Sequence, residues 1–150
     1  MEWFVRAFMR ASLVWLALGV TLGVAMAVHP AWRVFRTAHL HMNLAGFVTM
    51  MIFGVAYYVI PRFFGHPLHS RPVAFGQWWL SNLGLAGMVA GFLMQAYAVP
   101  GWTVLLVAGG VFQAVAAYAF VYNIWRTIGA ASVPVLPLSN PLEKLNAQLR

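Results

Sequence analysis

The sequence contains no cysteine. That excludes disulfides, thiolate metal sites, iron–sulfur clusters and a cofactor attached covalently through C-x-x-C-H. Acids are almost as scarce, with Glu2 and Glu143 alone among 150 residues, both outside the long apolar runs. No carboxylate is therefore available for a proton relay within a membrane, a general acid–base pair or a hard-cation cage. The same scarcity argues against a proton-coupled transporter or pump. Charged residues of either sign make up only 7% of the chain, against 63% hydrophobic residues. Soluble domains carry about 25% charged residues, so this composition belongs in a bilayer.

What is present is a set of apolar runs of membrane-crossing length, which needs about 20 residues. Four are read at Ala11 to Val28, His39 to Ile60, Val73 to Val99 and Trp102 to Trp125. The triplet "AMA" at Ala25 to Ala27 imitates a signal-cleavage site, but the run before it exceeds the usual signal h-region. The first span is therefore read as retained. The expected fold class is an all-α membrane protein of four transmembrane helices. Residues 1–126 form that domain, and residues 127–150 form a cytoplasmic tail with a short amphipathic helix.

The net charge of +7 reads as topology rather than nucleic-acid affinity. Arg6, Arg10, Arg62, Arg71, Arg126, Lys144 and Arg150 fall on one side of the four-span arrangement, and Arg33 and Arg36 on the other. The positive-inside rule then places both termini in the cytoplasm of an inner-membrane, multi-pass protein. Pro30 is expected to end the first helix and Pro61 the second. Gly19 and Gly23 make a G-x-x-x-G on the first span, and Gly87 and Gly91 another on the third. Such spacing lets helix backbones approach closely, within the bundle or between subunits. Asn140 with Glu143 could cap the tail helix, whose Leu142, Leu145 and Leu149 share a face suited to docking.

The chemistry-bearing stretch is "RTAHLHMNLAGF", Arg36 to Phe47. Imidazoles in a span are costly without partners and so are functional candidates. At about 100° per residue, His39 and His41 point to opposite sides of their helix. They cannot readily chelate one metal, which favours i, i+4 spacing. Each can ligate a separate centre, and without thiolates or carboxylates nearby the natural centre is haem iron. Gly46 and Ala45 would leave room for a flat macrocycle, and Arg33 and Arg36 could neutralise propionates. The alternative is that the histidines only hydrogen-bond between helices or to interfacial water, with the arginines on lipid phosphates. His29 offers a further axial ligand or merely ends the first helix. His66 and His69 are expected to face solvent in the loop "HPLHSRP".

Residues Ala38 to Met88 resemble part of the haem–copper oxidase subunit I superfamily, closest to its nitric oxide reductase and C-type oxidase branches. The resemblance rests on H-x-H, the G-x-x-Y-Y-x-x-P-R ending and the following "QWWLSNLG", and matches the family's tenth and eleventh helices. It implies His39 as ligand of a high-spin haem and His41 as ligand of a low-spin one. It also implies non-covalent b-type haem as cofactor and electron transfer, or binding of O2 or NO, as activity. Family subunits have twelve helices in three arcs, and H-x-H lies on the second helix of an arc, as here. A homotrimer in the lipid bilayer could thus imitate a whole subunit, with an electron donor or an oxidase-like protein as a further partner. No adjacent histidine pair of the kind that holds the family's copper is present, so copper is not expected. The competing expectation is a non-catalytic accessory or assembly subunit packed against an oxidase-like partner.

Overall fold

In the computed structural model, which describes residues 2–130, the chain folds into four long helices connected up and down. The tail helix expected around Asn140 to Leu149 lies outside the described residues. Helix α1 is Trp3–Val28. A 3-10 turn, Pro30–Phe35, leads into α2. Helix α2 runs through three successive stretches, Arg36–His41, Met42–Thr49 and Met50–Phe63, the middle one wound as a π-helix. Helix α3 is Arg71–Ala96 and α4 is Trp102–Ile128. There is no strand among the described residues.

Three of these units are long and apolar enough to cross a membrane: Trp3–Val28, Pro30–Phe63 and Trp102–Ile128. Helix α3 equals α1 in length but is diluted by Gln77, Ser81, Asn82 and four glycines. Its buried residues include Gln77, Ser81, Gly84, Leu85 and Gly91. The other helices turn Val, Leu and Phe side chains outward, as lipid-facing helices do.

Most helix ends shift by a few residues from the sequence reading, and two of the shifts have a visible structural cause. Helix α1 starts two turns before Ala11, because Phe4, Val5 and Phe8 are buried against α2 and draw the first turns into the bundle. Pro61 does not end α2 but sits inside its last turn. The stop comes at Gly65, at φ 70°. Gly65 N–H donates to the Arg62 carbonyl and His66 N–H to the Pro61 carbonyl, the paired closure that an αL glycine permits. The turn carries His66 inward to 7% exposure, which corrects its assignment to solvent; His69 is exposed as expected.

The closest helix pairing is α3 with α4. A Cβ on Gly109 would lie 2.6 Å from the Gly84 carbonyl oxygen, and one on Gly84 would lie 2.9 Å from that of Gly109. Small residues let the backbones meet, as in membrane bundles generally. Polar side chains fasten the far ends. Asn123 accepts from Ser70 N–H at 2.9 Å and donates to the Ser70 carbonyl at 2.8 Å. Thr127 accepts from His69 N–H at 3.0 Å, and the Tyr57 hydroxyl donates to Gln77. Gln113 reaches the Ser81 carbonyl at 2.7 Å, and the Trp15 indole N–H donates to Asn82 at 3.2 Å.

Candidate functional site

The site is built where α1 ends and α2 begins. The stretch Arg36–His41 is α-helical, so two residues of separation do put His39 and His41 on different sides. His39 opens on a groove of about 660 Å3 lined also by Met26, Ala27, Arg33, Arg36 and Leu40. His41 opens on a separate groove of about 390 Å3 with Leu40, Leu44, Ala45 and Thr49. Both volumes fall within the roughly 300–1,000 Å3 of small-molecule sites.

Hydrogen bonding fixes how each imidazole is presented. His39 Nδ1 lies 2.8 Å from the Gly19 carbonyl oxygen, and His41 Nδ1 lies 2.9 Å from that of Thr37. A carbonyl only accepts, so in both rings the Nδ1 carries the hydrogen; at His39 the 2.8 Å carbonyl contact outweighs Asn43 Nδ2 at 3.3 Å, which donates to the His39 carbonyl instead. In the neutral ring this leaves the Nε2 lone pair free, the form in which histidine binds a metal. Neither Nε2 has a hydrogen-bond partner among the described residues. His41 is further steadied by Phe92 of α3, with ring centroids 4.8 Å apart.

The G-x-x-x-G of α1 forms the cradle for His39. A Cβ on Gly23 would lie 2.8 Å from His39 Cε1, and one on Gly19 would lie 2.6 Å from Asn43 Nδ2. Gly19 thus contributes its carbonyl to the ring and its missing side chain to Asn43. Asn43 in turn donates to the His39 carbonyl at 2.8 Å. The sequence marked these glycines only as a site of close packing; what packs there depends on which helix lies opposite.

The sequence candidates are distributed as follows. His39, Arg33 and Arg36 share one groove, so two cations stand beside a neutral imidazole. His41 stands alone on the opposite groove, without an arginine. His29 lines a third groove with Thr21, Val24 and Trp32, its ring 5.5 Å from the indole. It also closes α1, with its N–H on the Ala25 carbonyl at 2.9 Å. Gly46 lines neither histidine groove. A Cβ there would meet Trp15 Cβ at 2.6 Å and Leu85 Cδ2 at 2.9 Å, so the residue serves a helix crossing, whereas Ala45 does face the His41 groove. No group of three or more His, Cys, Asp or Glu side chains converges among the described residues.

The donor set suits a haem better than a bare ion. Single imidazoles face separate, largely apolar grooves, and the groove of His39 holds cations where carboxylates of a macrocycle could pair.

The family described as Cytochrome C and Quinol oxidase polypeptide I matches residues 4–141. The Cbb3-type cytochrome c oxidase subunit CcoN1 of Stutzerimonas stutzeri is 24% identical over 158 aligned residues, covering 83% of this chain. The chain spans 32% of that relative's length. By the extent of the family match, the chain belongs to the cytochrome c and quinol oxidase polypeptide I family, subunit I of the haem–copper oxidases.

Proposed function

We propose that this subunit I-like membrane protein binds haem without a covalent link, through Nε2 of His39 on one side of α2 and Nε2 of His41 on the other. The observation that carries the reading is the pair of Nδ1–H bonds to backbone carbonyls, which leaves both Nε2 lone pairs free in separate grooves. Arg33 and Arg36 hold the propionates beside His39. The Gly19 carbonyl fixes the tautomer and orientation of His39, and Gly23 leaves space for its ring. When bound, haem supplies one-electron transfer or an open site for O2 or NO. Four helices cross the inner membrane, with both termini in the cytoplasm by the positive-inside rule. The chain assembles with copies of itself, a trimer matching three four-helix arcs, and takes electrons from a separate donor.

Visible spectra of the detergent-purified protein, oxidised and dithionite-reduced, with and without CO, test this reading. A reduced α band lost in His41→Ala and a CO shift lost in His39→Ala are the expected results. Absence of a Soret band after expression with ample haem would sink it and leave an accessory or assembly subunit, the second reading.

A further inference from the structure

The end of the bundle away from the histidines carries a second site. There α1 begins, α2 ends and α3 begins around a pocket of about 230 Å3, lined among others by Glu2, Tyr57, Arg62, His66 and Arg71. Arg71 is paired with Glu2 at 2.8 Å, yet its side chain is 68% exposed. A guanidinium has five N–H donors, so Arg71 can take a second acceptor. Arg62 is held in place over the Tyr58 ring, 3.7 Å from its centroid. His66, brought inward by the turn at Gly65, has no side-chain hydrogen bond among the described residues. Two arginines and an imidazole against one carboxylate leave the pocket with an excess of positive charge.

An apolar groove on the outer face of α2 ends within one turn of Arg62, the residue at the edge of this pocket. It is about 360 Å3 in volume and lined, among the described residues, by Met51, Ile52, Val55, Ala56, Val59 and Ile60 of α2. Arg62 stands three residues beyond Val59, so it continues the same helical stripe. A hydrocarbon groove ending beside Arg62, at the mouth of a basic pocket, matches a molecule with an acyl chain and a phosphate. Basic pockets among transmembrane helices recognise anionic lipid headgroups by this chemistry.

We infer that the Arg62–His66–Arg71 pocket binds the phosphate of an anionic phospholipid whose acyl chain lies in the Met51–Ile60 groove. This site is independent of the haem reading. Glu2 opposes the phosphate and tunes its affinity, while Arg62 and Arg71 supply the attraction.

The test is native mass spectrometry of the full chain released from nanodiscs of mixed phosphatidylglycerol and phosphatidylcholine. Phosphatidylglycerol is expected to be retained in preference to phosphatidylcholine. Arg62→Gln and Arg71→Gln should each lower the retained fraction about fivefold, and Glu2→Gln should raise it. Arg126→Gln, on α4 and outside the pocket, should leave it unchanged. A gain in Glu2→Gln cannot arise from misfolding, so the proposal stands or falls on a folded protein. Equal loss in Arg126→Gln would reduce the effect to diffuse charge and overturn the site. Displacement of the lipid by inorganic phosphate would assign the pocket to a free anion instead, and equal retention of both lipids would also overturn it.

Discussion

A single methylene decides whether His39 can sit where it does. Gly23 faces the ring so closely that a Cβ would stand 2.8 Å from Cε1. Gly23→Ala should therefore push the imidazole off the Gly19 carbonyl and cost about 1–3 kcal/mol, the range for overpacking. Gly76→Ala is the matched control, since nothing lies within 4 Å of its Cβ; removing a mid-helix glycine there should stabilise by roughly 0.5–1 kcal/mol. Thermal unfolding in detergent, followed by helicity, compares the two directly. Ala98 offers a gain of the opposite origin. It closes α3 at φ 52°, and Val99 N–H reaches back to the Met94 carbonyl at 2.9 Å. An L-residue in that conformation costs about 1–2 kcal/mol, so Ala98→Gly should raise the unfolding midpoint. The opposed directions of His39 and His41 were legible in the sequence, because α geometry holds across Arg36–His41. The cradle was not, because Gly19 and Gly23 acquire their role only from the helix that faces them. For the same reason Gly46, read as room for a macrocycle, proves to be room for Trp15.

At the scale of the element, the unexpected feature is the π-wound stretch Met42–Thr49, directly after the histidines. Each i→i+5 bond takes in one more residue than an α bond, so the ladder sets Met50–Phe63 in a different rotational register from His39 and His41. Runs of this kind are rare and occur mostly near functional sites. Thr49 supports it by donating its hydroxyl to the Leu44 carbonyl at 2.9 Å. The segment "MNLAGFVT" carries no proline or turn signal, so periodicity alone reads it as ordinary helix. Its winding comes from tertiary packing, with Gly46 pressed on Trp15 and Leu85. Amide hydrogen exchange should report this as faster opening over residues 42–49 than over residues 50–60, since a wider ladder bonds less well. Equal protection across the two stretches would contradict the π winding. The α3–α4 contact behaves differently, being tight and backbone to backbone. Gly109→Val should separate these helices and cost more than Gly110→Val, because nothing stands within 4 Å of a Cβ on Gly110.

On the scale of the molecule, the two histidine grooves pose a question of completeness. Each imidazole faces out of the four-helix unit rather than into its centre, which is filled by Phe8, Met50, Phe53 and Leu85. A macrocycle bound at either face would be covered on one side only by this chain, leaving its second face to another surface. Within the described residues no second histidine stands across from His39 or His41. A neighbouring copy can supply that surface, and the twelve helices of three copies would enclose grooves that one copy leaves open. Native mass spectrometry from nanodiscs should therefore give a closed oligomer, a trimer by the arc argument, whose haem content falls when the oligomer is dissociated. His41→Ala should lower haem retention without unfolding the four-helix unit, because His41 lies outside the buried core and, among the described residues, its side chain hydrogen-bonds only to Thr37 of its own helix. A monomer that keeps its full haem complement would show that one chain closes both faces by itself, and the need for a second copy would fall with it.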